Sequence, residues 1–172
     1  MRTSYIGGNI KRISSEAFKN CTSIQTMVID PTGGAVDIGG FEGCTNLESV
    51  TINNTVSTIG EAAFKGCSKL RSFTVEGYGN KLAIGKSAFE GCSSLKSITI
   101  PKGVTSIGDR LFSQCSSLES ITIPKGVTSI GEYVFESCSS LKNILVEDGN
   151  QNYSSMGGVL FNSDQTVLVY YP

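Results

Sequence analysis

Histidine is absent from the 172 residues. That excludes Ser-His-Asp and Cys-His nucleophile pairs, His-ligated metal sites and the commonest general base near neutral pH. Charge is scarce as well, at 17% of the chain, and nearly balanced, with 14 Lys and Arg against 15 Asp and Glu. A basic footprint for nucleic acid is therefore not expected. No apolar run approaches the ~18 residues of a membrane span. The opening Met1-Arg2-Thr3-Ser4 leads into glycine and polar residues rather than the apolar stretch of a signal peptide. Hydrophobic residues still make up 39%, enough for the core of one domain or one short repeat array.

The six cysteines fall at positions 21, 44, 67, 92, 115 and 138, so their spacings are 23, 23, 25, 23 and 23. The sequence around them repeats too. Residues 95–117 read LKSITIPKGVTSIGDRLFSQCSS, and residues 118–140 read LESITIPKGVTSIGEYVFESCSS. Such self-similarity marks a repeat architecture. Within one unit, Ile98 and Ile100 alternate with Ser97 and Thr99, the period of a strand with one buried face. Pro101 and Gly103 end that strand and turn the chain. Val104 and Ile107 return to the core, and Gly108 marks another bend. Leu111, Phe112 and Cys115 follow at short helical spacing, which predicts one helical turn.

A 23-residue unit cannot bury its own apolar edge, whereas stacked copies can. Equivalent positions then lie ~4.8 Å apart in a parallel sheet, and like side chains form columns. One column is Phe18, Phe41, Phe64, Phe89, Phe112 and Phe135. Another is Ile24, Leu47, Leu70, Leu95, Leu118 and Leu141. The cysteines share one register with parallel Cβ vectors, about as far apart as the strands and beyond the ~3.8 Å of a disulfide. They read as a ladder of buried free thiols.

The strand motif L-x-x-I-x-I is that of a leucine-rich repeat. The fuller string IPKGVTSIGxxxFxxCSSL resembles the BspA-like, or Treponema-type, leucine-rich repeats, from about Tyr5 to Pro172. The fold implied is a leucine-rich-repeat solenoid. It is a right-handed coil with a parallel β-sheet on the concave face, short strands, turns and helical turns opposite, and a C-terminal β-hairpin cap. Residues 1–146 would form an array of about six 23-residue units, and 147–172 the last rung with its cap. The chain reads as a segment of a longer protein, whose exposed terminal rungs would be liable to self-association. The resemblance further implies a non-enzymatic interaction or adhesion module of a bacterial protein, at the cell surface or secreted. Its partner would be a protein or glycan on host or neighbouring cells. The expected state is a monomer, without cofactor, metal, nucleic acid or membrane insertion. The alternative is a structural spacer that displays other domains and has no ligand of its own.

Two units are irregular. The second, Met27 to Ser49, carries five glycines between Gly33 and Gly43, and either Val36 or Ile38 could fill its isoleucine slot. The fourth has two extra residues between Glu76 and Leu82. Insertions map to loops, often on a binding face, so Tyr78, Asn80 and Lys81 are variable-loop candidates, although loop length also drifts without function. The end departs from the repeat. Val159-Leu160-Phe161 and Val167-Leu168-Val169 flank Asn162-Ser163-Asp164-Gln165 and predict a hairpin.

Several chemistry-like strings dissolve on inspection. Gly85-Lys86-Ser87 lacks the glycine five residues before Gly85, where Asn80 stands, and so is no phosphate loop. Ser93 to Lys96 and Ser139 to Lys142 match S-x-x-K, yet the repeat generates that pattern. Glu147 to Asn152 offers oxygens to calcium without the order of a dedicated loop, and reads as a solvated turn. Asn20, Asn53 and Asn152 begin N-x-S/T triplets, relevant only in a glycosylating host.

The outward side of the strands says more. It carries Ser49 and Thr51, Ser72 and Thr74, Ser97 and Thr99, then Ser120 and Thr122. These eight are the candidate binding residues of a flat, neutral, hydroxyl-lined concave face. Threonine also simply suits exposed strand positions. The rim mixes charges through Gln25, Glu48, Arg71, Lys96, Glu119 and Lys142.

Overall fold

The computed structural model describes residues 2–172, apart from the side chains of residues 54, 55 and 78–80. Strands β1 (Thr3–Gly8), β2 (Thr26–Pro31), β3 (Val36–Ile38), β4 (Ser49–Ile59) and β5 (Ser72–Ile84) are joined in one parallel assembly. Shorter strands follow: β6 (Ser106–Ile107), β7 (Ser120–Ile123), β8 (Ser129–Ile130) and β9 (Asn143–Val146). The chain closes with β10 (Tyr153–Met156), β11 (Val159–Asn162) and β12 (Leu168–Tyr170), an antiparallel trio. The array makes a parallel β-solenoid of about six turns.

Register follows the repeat. Thr26 pairs with Ser49 and Ser49 with Ser72; Val28 pairs with Thr51 and Thr51 with Thr74. Ile38 pairs with Ile59, so Ile38 fills the isoleucine slot that sequence left open between it and Val36. The turn after Ile38 is correspondingly short. Gly40 makes it at φ 85°, where a Cβ would collide with the Ser14 carbonyl.

Proline decides strand length. It cannot donate into a ladder. In the units with Pro101 and Pro124 the chain splits into two short segments. The units with Asn53 and Glu76 at that place run on as β4 and β5, of 11 and 13 residues, which serve both faces of the coil. The two extra residues of the fourth unit are thus taken up in strand, not in the expected loop. Lys81 is exposed within β5, and the side chains of Tyr78 and Asn80 lie outside those described.

The expected helical turns are absent among the described residues. Consecutive β-turns replace them, because alternate amides donate to the next rung instead of along the chain. The Ala62, Phe64 and Gly66 amides donate to Lys86, Ala88 and Glu90 carbonyls, whereas those of Lys65 and Cys67 donate three residues back. This alternation requires left-handed residues at fixed places. Gly43, Gly66 and Gly91 occupy one such column, continued by Gln114 and Ser137 at φ 62° and 59°. The glycine after the isoleucine has another reason, since a Cβ on Gly85 would collide with the Glu61 backbone of the rung beside it.

The core is the set of predicted columns. Neighbouring phenylalanines stack from Phe18 to Phe135, with ring centroids 5.0, 5.2, 5.5, 5.8 and 6.2 Å apart in turn. Phe41, Phe64, Phe89, Phe112 and Phe135 are fully buried; Phe18 in the first turn is half-buried. At the far end Tyr170 continues the stack edge-on, 5.2 Å from Phe135, and its hydroxyl donates to the Phe135 carbonyl at 2.8 Å. Leu160 is buried beneath the hairpin, and the Ile144 amide donates to the Gly158 carbonyl. The β10–β12 element therefore caps the last rung. The hairpin pattern in the sequence accounts for two of its three strands.

Candidate functional site

The cysteine column is chemically quiet. Each thiol from Cys44 to Cys138 donates to a phenylalanine carbonyl one rung back: Cys44 to Phe18, Cys67 to Phe41, Cys92 to Phe64, Cys115 to Phe89 and Cys138 to Phe112, at 3.0–3.3 Å. All six are free, and all but Cys21 are buried. Burial, helped by the neighbouring thiol Cys44, pushes Cys67 up to about 12. Burial likewise lifts Cys138 to about 11 and raises Cys92 and Cys115 well above the usual thiol range. A thiol so far above its usual range is a poor nucleophile and a poor metal ligand. Among the described residues no three His, Cys, Asp or Glu side chains cluster to hold a metal ion.

The other strings have structural explanations. The serines of S-x-x-K form a ladder, with Ser93 donating to the Ser68 carbonyl and Ser139 to that of Ser116. Lys86 pairs with Glu61 at 3.2 Å. In the turn that follows β9, Asn150 donates to the Pro124 and Val127 carbonyls and accepts from the Asn152 and Tyr153 amides. Glu147 accepts from the Lys125 amide. The oxygens that could have served a cation instead plug the end of the array. Sequence reasoning missed this role of Asn150, because no other unit carries an asparagine doing the same work. A cleft of about 520 Å³ lies between Ile130–Glu136 and the capping Val169 and Tyr170. Its lining is mostly apolar, and its Glu136 is tied to Arg110.

The concave face carries the eight predicted hydroxyl residues. The structure brings Ser49, Thr51, Ser72 and Thr74 together on β4 and β5, with the Ser49 hydroxyl 3.3 Å from that of Thr26. Thr99 bridges to Thr122, next to Ser120 on β7. Ser72, Thr74, Ser97, Thr99, Ser120 and Thr122 are exposed, while Ser49 and Thr51 are half-buried. The face is not one continuous sheet, however. All but one of the neighbouring pairs of rungs share a rim hydrogen bond: the Gln25 amide to Arg2, Glu48 to Gln25, Arg71 to Glu48, Glu119 to Lys96, and Lys142 to Glu119. The bond expected from the Lys96 amide to the Arg71 carbonyl is missing among the described residues. Residues 95–98 form no strand.

The mismatch between adjacent units accounts for this gap. Phe73 stands where the later units have isoleucine and the two before it have methionine and valine, and its ring lies edge-on between Phe64 (5.2 Å) and Phe89 (4.9 Å). Unbroken β5 on one side faces a proline-split rung on the other. The sequence pattern places the hydroxyls but does not reveal this break.

The comparisons with known proteins fit this architecture. A model of the BspA type leucine rich repeat region matches in six copies, over residues 1–83 and 79–167. Three solved structures are similar. A leucine-rich repeat protein from Eubacterium ventriosum has a TM-score of 0.78 at 27% identity, covering 99% of this chain and 46% of that one. A leucine rich cell surface protein from Faecalibacterium prausnitzii has 0.65 at 28%, covering 94% and 50%. The pneumococcal vaccine antigen PcpA has 0.60 at 28%, covering 99% and 36%. The chain thus spans half or less of these relatives. A search of curated proteins finds no match. With its whole repeat array matched, the chain belongs to the BspA-type leucine-rich repeat family.

Proposed function

We propose that the chain is a non-enzymatic protein-interaction or adhesion module of a bacterial cell-surface protein. The observation that carries this reading is the concave face. Outward Ser and Thr side chains stand in register on neighbouring rungs, on a fold whose relatives include a bacterial cell surface protein. The solenoid itself consumes the thiols, the S-x-x-K serines and the Glu147 turn in holding rungs together, which leaves little for catalysis. A neutral hydroxyl face binds through many weak hydrogen bonds, so affinity would come from repetition.

The test is surface-immobilised binding of the chain to a panel of host matrix proteins and glycans, at two salt concentrations. Saturable binding that disappears when Thr51, Thr74, Thr99 and Thr122 are changed to glutamate, with the fold intact by circular dichroism, supports the module. A folded chain that binds nothing on the panel favours the spacer.

A further inference from the structure

The missing rim bond opens two recesses along one gap. The first, about 490 Å³, is lined by Arg71, Ser94, Lys96 and Ser117. The second, about 150 Å³, is lined by Phe73, Thr74, Val75, Thr99 and Pro101. Their chemistry differs. The first presents two cations, neither in an ion pair among the described residues, although other lysines and arginines such as Lys19, Lys65 and Arg110 are paired. Along the rim Glu48 and Glu119 flank this pair, so Arg71 and Lys96 are the one place where two like charges adjoin. The second recess mixes the apolar Phe73, Val75 and Pro101 with the hydroxyl-bearing Thr74 and Thr99, and a cavity of this size holds a group as large as benzene. Between them lie the Lys96 amide and the Arg71 carbonyl, freed of the bond that every other junction makes.

We propose that this gap in the concave sheet is a docking site for an extended acidic peptide, with a carboxylate between Arg71 and Lys96 and a small apolar side chain in the Phe73–Pro101 recess. The inference deepens the module reading above and rests on it. The spacing commits the occupant. Arg71 and Phe73 are two residues apart, ~6.6 Å along a strand, which is also the distance between same-face side chains of an extended peptide. The free amide and carbonyl offer main-chain bonds to such a backbone, the mode by which peptides join sheet edges. Arginine binds carboxylate through two parallel hydrogen bonds. A sulfated glycan would supply the charge but no alkyl group for the second recess. The rungs stay paired behind the gap, since the Phe64 amide still reaches the Ala88 carbonyl at 2.8 Å. The peptide therefore lies over the gap rather than between the strands.

The experiment uses the whole chain and the capped peptide Gly-Asp-Ser-Val-Ser-Gly, biotinylated and displayed on streptavidin for avidity. We expect saturable binding that weakens with added salt. Binding should fall at least tenfold when the aspartate becomes asparagine, when the valine becomes glycine, or when the chain carries Arg71→Glu with Lys96→Glu. Should that double variant lose its circular dichroism spectrum, Arg71→Gln with Lys96→Gln replaces it. Absence of saturable binding, or binding indifferent to the Arg71 and Lys96 changes, overturns the proposal. So does heparin binding at Arg71 and Lys96 in place of the peptide. A panel ligand lost on Thr51→Glu with Thr122→Glu but retained by the Arg71 and Lys96 variant overturns it while leaving the module reading intact.

Discussion

Replacing Phe89 by alanine should be among the most damaging single changes in the molecule. Its ring is 1% exposed and stacked on both faces, 5.5 Å from Phe64 and 5.8 Å from Phe112, with Phe73 edge-on at 4.9 Å. Truncation removes buried area and leaves a cavity that three neighbouring rings cannot all collapse to fill. The expected cost is about 3–5 kcal/mol. Phe18 supplies the control. It is half-buried and stacks on Phe41 alone, so Phe18→Ala should cost only about 1.5 kcal/mol. Urea denaturation followed by far-ultraviolet circular dichroism measures both. Because each turn touches only its neighbours, the Phe89 change should also lower the m-value, as the two halves of the array begin to unfold separately. Equal costs at the two sites, or less than about 1.5 kcal/mol at Phe89, would refute the picture of a stacked column whose strength depends on having neighbours on both sides.

Further predictions concern the backbone and the thiols. Gln114 holds the left-handed conformation that glycine holds in three earlier rungs, and its side chain is exposed. Gln114→Gly should therefore stabilise by up to about 1 kcal/mol, read from the urea midpoint. Cys67, Cys92, Cys115 and Cys138 all have raised thiol values when folded, so the folded state holds its protons longer than the unfolded chain. Their contribution is complete below the unfolded thiol range near ~8.5 and declines above it, at up to about 1.4 kcal/mol per pH unit per thiol. Urea midpoints at pH 7, 9 and 10.5 should fall accordingly, and a flat profile would contradict the buried ladder. Under native conditions at pH 8 a thiol reagent should modify Cys21 and spare the other five.

The sequence makes legible whatever the repeat enforces. Positions 23 residues apart share an environment, so the phenylalanine, leucine and cysteine columns and the outward hydroxyls follow from the spacing alone. The helical turns are misread for a physical reason. F-x-x-C has the spacing of a helical turn, but alternate amides in that segment bond across rungs, a partner that local spacing does not reveal. Strand β10 escapes notice because Tyr153-Ser154-Ser155-Met156 shows no apolar alternation. Asn150 does so because its role exists only where the array stops repeating. The gap on the concave face is hidden for a related reason. It belongs to no single unit but to the junction of two that differ, one with Phe73 and two extra residues, the other with Pro101. Those three signals are present in the sequence, and only their adjacency in space gives them meaning.

Backbone hydrogen exchange of the free chain, read by mass spectrometry, is the sharpest probe of this fold, since the solenoid and both functional proposals depend on where its ladder is continuous. The amides of Ser49–Ile52 and Ser120–Ile123 and of the stacked turns at Phe64 and Phe89 should exchange slowly. Residues 96–98 should exchange markedly faster. Uniform protection across all the concave segments would contradict the gap, and fast exchange throughout the turn column would contradict the solenoid itself.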